Sequence, residues 1–145
     1  MHVSNKRGLA LLYMCAVSIA IAGSGHAREP FPRFAPLIDT SKTTVDEPIV
    51  YPGGTAKLTT GILTLAPGEE TGWHTHSVPL TGLVLSGAIT VDYGDKGTKT
   101  YAEGQSIAEA MGTAHNGRNL GTVPVRVFVV VIGAEGIAAT TPVKR

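Results

Sequence analysis

The sequence predicts an all-β domain folded as a sandwich or barrel. From Ile49 onward, short runs rich in Val, Ile, Leu and Thr are separated by Gly- and Pro-containing breaks, at intervals of about ten residues that are typical of strands joined by turns. No segment after Ile49 sustains helical spacing of its apolar residues. We therefore predict one all-β domain over residues 49–140.

Four stretches carry the predicted strands: AKLTTGILTLAPG, LTGLVLSGAITVDYG, TKTYAEGQSIAEA and VRVFVVVIG. The second should divide into two strands that turn at Ser86 and Gly87, because glycine accepts the backbone angles of a tight turn. Residues 94–97, GDKG, predict the next hairpin tip. The run VFVVVI is apolar on both faces and predicts a central strand covered on each side.

Residues 1–27 predict a secretory signal peptide. Lys6 and Arg7 precede the uncharged run GLALLYMCAVSIAIAGSG, and the small residues Gly25 and Ala27 frame a cleavage position. This order favours cleavage after Ala27 and a periplasmic or secreted protein. The alternative is an uncleaved anchor, since the run approaches the roughly 20 apolar residues that span a bilayer.

The mature chain that cleavage would leave is nearly neutral. Loss of Lys6 and Arg7 changes the net charge from +1 to −1, and Cys15, the one cysteine, is lost as well. Disulfides are thereby excluded, and without a Lys/Arg cluster we expect no nucleic-acid partner and no stable membrane association. Residues 28–48 hold four prolines and predict an extended N-terminal arm that packs on the domain or on a second subunit.

Histidines are the candidate metal ligands. Of the five, His2 and His26 fall in the predicted signal peptide, which leaves His74, His76 and His115. In an extended segment His74 and His76 point to the same side, close enough to share one ion. The third ligand must then come from elsewhere in the fold. This pattern favours a metal site, although imidazole suits zinc, copper, iron and nickel alike.

Two segments resemble the paired motifs of the cupin superfamily. Residues 68–87, GEETGWHTHSVPLTGLVLSG, are similar to the first cupin motif at Gly68, His74, His76 and Gly87. Residues 104–119, GQSIAEAMGTAHNGRN, are similar to the second motif at Gly104, Gly112, His115 and Asn119, with Ala110 in place of the usual proline. The resemblance implies a jelly-roll β-barrel with a metal site at its mouth, and a homodimer, which is common among small cupins.

Leu80 stands where the first motif usually carries a glutamate ligand. The resemblance therefore implies a divalent ion, Fe²⁺, Mn²⁺ or Zn²⁺, held by three neutral imidazoles. Such an ion keeps its full positive charge and favours an anionic substrate group at its open positions. Leu80 itself would make one wall of the substrate pocket apolar.

Three further residues near the motifs are candidates for other roles. Glu109 is a candidate general base or substitute ligand if it faces inward, and an exposed strand residue if it does not. Trp73 is a candidate pocket residue that stacks on a ligand, or it packs beside its strand. Asn119 is expected to support the backbone.

The function favoured by the sequence is that of an exported, metal-dependent enzyme acting on a small molecule. The resemblance implies dioxygenase-like chemistry with Fe²⁺ at His74, His76 and His115. One alternative is a zinc- or manganese-dependent isomerase or hydrolase. The other is a non-enzymatic periplasmic module that binds a small molecule or senses metal, including a barrel that has lost metal with its glutamate and binds an apolar ligand.

Overall fold

The computed structural model describes residues 34–144. The compact unit that begins at Ala35 carries all the strands described. The predicted signal peptide, its cleavage after Ala27 and the first part of the predicted arm lie outside the described residues. Within residues 34–144, no helix has the length and apolar character needed to cross a membrane.

The described part of the chain contains nine strands. They are β1 (Ala56–Leu65), β2 (His74–His76), β3 (Leu80–Ser86), β4 (Ala88–Asp92), β5 (Thr98–Ala102), β6 (Ser106–Ala108), β7 (Asn116–Arg118), β8 (Val125–Ala134) and β9 (Thr140–Pro142). Among residues 34–144 the one helical element is a 3-10 turn over Gly94–Lys96, at the predicted hairpin tip between β4 and β5. The predicted all-β class is confirmed.

Antiparallel pairing arranges these strands in a jelly roll. One sheet has the order β1-β8-β3-β6, a second has β5-β4-β7, and β2 pairs with β9. Isolated bridges from His74 to His115 and from Glu70 to Arg118 connect the β2 region to the chain around β7. The histidine-bearing strand is thus tied to the second sheet.

The core lies between the sheets and consists of the side chains that alternate strand residues point inward. Val84 in β3, Val91 in β4 and Val125 in β8 are all buried and belong to one apolar cluster. Alternate residues of each strand point to this side because the side-chain period of a strand is two residues. The β-branched residues that predicted strands therefore also form the core.

Gly87 marks a change of sheet. The break predicted at Ser86 and Gly87 is present, and Gly87 has a φ of 74°. The expectation of two strands folding back on each other is wrong, because β3 pairs with β6 and β8 whereas β4 pairs with β5 and β7. A Cβ at Gly87 would lie 3.0 Å from the Pro124 carbonyl oxygen, so both the backbone angle and the close approach require glycine.

The VFVVVI strand, β8, is central as predicted, with β1 and β3 as its neighbours. Its two sides are not equally covered. Val127 is 3 % exposed on the core side, whereas Phe128 is 38 % exposed on the other. Coverage on each side was therefore the wrong expectation, because within the described chain the second sheet covers only one face.

Part of the predicted arm packs on its own domain. Lys42 and Pro48 form an antiparallel bridge, and the loop between them inserts Val45, 8 % exposed, into the core cluster. The Thr44 N–H donates to the Ala108 carbonyl oxygen at 2.8 Å, which fixes this loop against β6. The predicted bounds, an arm over residues 28–48 and a domain over residues 49–140, stay a prediction. The loop shows only that the end of the arm packs on the domain.

Candidate metal centre

Three histidines converge at one end of the cavity between the sheets. His74 and His76 belong to β2, while His115 lies beside them through a pair of backbone hydrogen bonds with His74, of 3.0 and 2.9 Å. One ring nitrogen from each histidine can be chosen so that all three lie within 4.8 Å of one another. That spacing allows one ion to reach all three nitrogens.

Hydrogen bonds orient the three rings in the same way. Each Nδ1 lies near a backbone carbonyl oxygen: that of Gly72 for His74 (2.7 Å), Ala139 for His76 (3.2 Å) and Thr113 for His115 (2.9 Å). A carbonyl accepts only, so each Nδ1 is the protonated, donating nitrogen. The Nε2 lone pairs are left for a metal ion, as is usual for ligating histidines.

The buried Nε2 atom of His115 fits a metal ion. His115 is 1 % exposed, and its Nε2 has no hydrogen-bond partner among the described residues. A buried polar atom without a partner is costly. A divalent ion shared with His74 and His76 would satisfy this atom, so the three histidines fit a divalent metal ion.

The site favours neutral imidazoles. Burial lowers the pKa of His76 to about 4, with further lowering by the nearby rings of His115 and His74. Burial also lowers the pKa of His74, against an opposing hydrogen bond to the Gly72 carbonyl oxygen. Near pH 7 both rings are uncharged and can act as ligands without first losing a proton.

Glu109 faces the same cavity. One of its carboxylate oxygens, Oε1, lies 3.9 Å from His115 Nε2 and accepts hydrogen bonds of 2.8 Å from the Tyr93 hydroxyl and the Ala110 N–H. Burial, followed by the nearby Glu109 charge, strongly raises the pKa of Tyr93, which therefore stays protonated and donates. Glu109 also follows β6 and donates its N–H to the Leu80 carbonyl oxygen at 2.9 Å.

The cavity has a volume of about 570 Å³, within the range of roughly 300–1,000 Å³ of small-molecule sites. Its lining includes the three histidines, Glu109, Trp73 and Leu80. The six residues that the sequence predicts as ligands, acid–base group or pocket walls therefore border one space. Leu80 contributes an apolar surface beside Glu109 on the neighbouring chain segment.

Glu47 holds the loop that leads to His115. Its carboxylate accepts hydrogen bonds of 2.7 Å from the Met111 N–H, the Thr113 N–H and the Thr113 hydroxyl. The Met111 carbonyl oxygen accepts from the His76 N–H at 2.8 Å, and that of Thr113 orients the His115 ring. One carboxylate therefore fixes backbone groups that position two of the three histidines.

Sequence reasoning did not identify Glu47, Tyr93 or Thr140, whose hydroxyl lies 3.2 Å from His76 Nδ1. No local pattern marks them, because each reaches the site through the fold. Asn119 supports the backbone, since its side-chain nitrogen donates to the carbonyl oxygens of Leu65 and Val123 at 3.0 and 2.8 Å.

Comparison with known proteins finds one family model and several solved structures to which this chain is similar. Residues 61–131 match the family model described as the cupin domain. No curated protein matches the chain. The Lactobacillus farciminis oxalate decarboxylase, solved as a formate complex, is 16% identical with a TM-score of 0.51, over 59% of this chain and 26% of that one.

Two further solved structures are similar. A Bacillus halodurans protein is 22% identical over 57% of this chain and 67% of that one, with a TM-score of 0.49. A sugar phosphate isomerase of the cupin superfamily from Silicibacter pomeroyi is 22% identical over 52% of this chain and 50% of that one, with a TM-score of 0.45. The chain thus spans half of the isomerase and about a quarter of the decarboxylase, and the decarboxylase likeness is one of fold alone.

Proposed function

Because the chain carries a cupin domain, we propose that it is an exported, metal-dependent enzyme that acts on a small molecule. The convergence of three histidine nitrogens within 4.8 Å at the end of a cavity carries the proposal. The orphaned Nε2 of His115 supports it. Dioxygenase-like chemistry with Fe²⁺ is the form we favour.

A divalent ion at this site would supply Lewis acidity, and Fe²⁺ would add redox chemistry with O₂. The chain itself supplies the neighbouring acid–base group. Glu109 borders the cavity and lies 3.9 Å from His115 Nε2, within reach of a substrate anchored near the histidines. Tyr93 and Ala110 donate to its Oε1 and hold the carboxylate in place. We assign Glu109 the transfer of a proton to or from the substrate.

The remaining walls limit access of water to the reacting group. Leu63, Val129 and Val131 add apolar surface to the lining of the cavity. An apolar wall lowers the local dielectric constant, which strengthens the interaction of a substrate with the site. Binding in this space would therefore orient the substrate and exclude competing water at once.

Two other functions use the same geometry. A zinc or manganese ion would instead support isomerase or hydrolase chemistry, by polarising a carbonyl group or supplying hydroxide. A binding or metal-sensing module would keep the cavity without turnover. Leu80 supports the binding module, because it replaces a carboxylate ligand and a site with fewer ligands holds its ion less tightly.

Elemental analysis tests the proposal. Protein purified from the periplasm without chelator is compared with the triple variant His74→Ala, His76→Ala, His115→Ala, and with Glu103→Ala, an exposed control. We expect near-stoichiometric metal in the wild type and the control and none in the triple variant. Iron favours the dioxygenase, whereas zinc or manganese favours the alternative enzymes. Absence of metal in the wild type even after reconstitution with Fe²⁺, Mn²⁺ or Zn²⁺ contradicts the proposal.

Export and assembly are further parts of the proposal. Amino-terminal sequencing of the periplasmic protein should begin at Arg28 if cleavage follows Ala27. We also propose a homodimer, in keeping with the exposed outer residues Leu58, Ile62 and Phe128. Light scattering of the purified protein measures its mass directly, and a monomer at micromolar concentration contradicts the dimer.

A further inference from the structure

The cavity has two chemically different ends. At one end lie the histidines and Glu109, and farther along β8 from the level of Leu80 lie Val129 and then Leu63, the partner of Val127. Val131 pairs with both Thr59 of β1 and Leu80 of β3. Leu80 therefore extends the apolar wall to the edge of the metal-binding end. A ligand that fills the space must satisfy both ends together.

The charges along the wall are equally uneven. Among the lining residues of the described chain, Glu109 is the one carboxylate, and no Lys or Arg is present. A ligand group bound to the ion can carry negative charge, because the ion compensates it. A second anionic group would meet no cationic side chain, only apolar groups, threonine hydroxyls and Glu109. Burying such an unpaired charge is strongly unfavourable.

We infer that the site takes a small molecule with a single metal-binding head, such as a carboxylate, and an uncharged, mainly apolar body. This inference rests on the proposed metal site and names the substrate class that the cavity selects. The head lies at the three histidines within reach of Glu109, and the body lies against Leu63, Val129 and Val131. Sugar phosphates and dicarboxylates are poor ligands, since each carries a further polar or anionic group.

A homologous series of acids tests this selection. Zinc-loaded protein of measured metal content is titrated by calorimetry with acetate, butanoate, hexanoate and octanoate. Each methylene that reaches the apolar wall should tighten binding about fourfold until the cavity is filled. Hexanedioate, which adds a second carboxylate to the same chain, should bind at least about tenfold more weakly than hexanoate. Equal affinities along the series, or tighter binding of hexanedioate, overturn the inference.

A charge placed on the wall provides the matched variant. Thr59 borders the cavity, whereas its neighbour Leu58 is 68 % exposed and points to the opposite side of β1. Thr59→Lys should shift the preference toward hexanedioate, and Leu58→Lys should leave it unchanged. If both variants behave like the wild type, the ligand body does not lie against this wall and the inference fails.

The same titrations on metal-free protein separate this inference from the proposed function. If the protein binds metal but its affinity for the acids does not depend on their chain length, the apolar body is refuted and the proposed metal site stays intact. A protein that binds no metal but still prefers longer chains refutes the metal-binding head and the proposed enzyme together, and retains only the apolar selectivity. Each outcome thus bears on a different part of the site.

Discussion

The two histidine-bearing segments meet at one site but are held there by different means. Residues 68–87 place His74 and His76 on β2, whose partner is the short strand β9. Residues 104–119 place His115, 1 % exposed, after a loop that is held by Glu47. Strand alternation places the first pair on one side of β2, and backbone carbonyl oxygens of Gly72 and Ala139 orient the two rings. His76 also donates its N–H to the Met111 carbonyl oxygen of the second segment. The second segment depends on a carboxylate 66 residues earlier than its partner Thr113, so motif residues alone do not build the site.

Removal of single ligands should show the largest effect. His115→Ala and His74→Ala should each weaken metal binding more than about 100-fold. Loss of a group that only hydrogen-bonds a ligating histidine already costs about 10–100-fold, and loss of the ligand itself costs more. Only His115→Ala should also destabilise the metal-free protein, by about 2 kcal/mol, because it empties a buried position. Metal titration and urea unfolding measure the two effects. Equal loss of stability in both variants would remove the distinction between the segments.

Loss of the Glu47 carboxylate should have the next largest effect. Glu47→Ala leaves the Met111 and Thr113 N–H groups without their partner, so we expect metal affinity to fall about 10–100-fold. Glu47→Gln keeps one acceptor oxygen and should retain intermediate affinity, while the exposed control Glu103→Ala should match the wild type. Competition with a chromophoric chelator gives these affinities. Unchanged affinity in a folded Glu47→Ala protein would show that the loop positions His115 unaided.

The Glu47 contribution should also depend on pH. Burial raises the pKa of Glu47, but hydrogen bonds from Thr113, Met111 and Thr43 together lower it below the ordinary value of 4.5. A lowered folded-state pKa means that the carboxylate stabilises the fold above the unfolded-state pKa and loses this effect as the pH falls through the folded-state value. The difference in unfolding free energy between wild type and Glu47→Gln should therefore shrink below about pH 4.5. A difference that grows on acidification contradicts this assignment.

The motif glycines provide a smaller and purely structural comparison. Gly87 and Gly104 both have positive φ, of 74° and 81°. A Cβ at Gly87 would lie 3.0 Å from the Pro124 carbonyl oxygen, whereas one at Gly104 would meet nothing within 4 Å. Gly87→Ala should therefore cost about 1–3 kcal/mol more than Gly104→Ala in urea unfolding. Equal costs would mean that backbone angle alone requires glycine at both positions.

Leu80→Glu should have the smallest effect and acts on the first segment. A carboxylate at this lining position should become a fourth ligand and tighten metal binding about threefold to tenfold, or about 0.7–1.4 kcal/mol. The same change in a Glu109→Gln background removes the adjacent negative charge and should show a larger gain. Unchanged affinity in both backgrounds would place residue 80 out of reach of the ion.

The strands and the candidate ligands were predictable because their signals are local. Alternation and glycine breaks predicted β3, β4, β5 and the central strand β8. The change of sheet at Gly87 was not predictable, since a glycine break looks the same whether the next strand folds back or crosses to another sheet. Exposure of Phe128 was missed for a related reason. Hydrophobicity along a strand does not show how many sheets cover it.

The sequence by itself determined the β class, the glycine positions at which strands break, and which three histidines could share an ion. Only the tertiary structure decided that these histidines converge, that Glu109 faces them, and that Glu47 holds the loop before His115. The physical reason is that the first set follows from backbone preference and the two-residue period of a strand. The second set depends on contacts between distant segments, which are chosen by strand pairing and core packing.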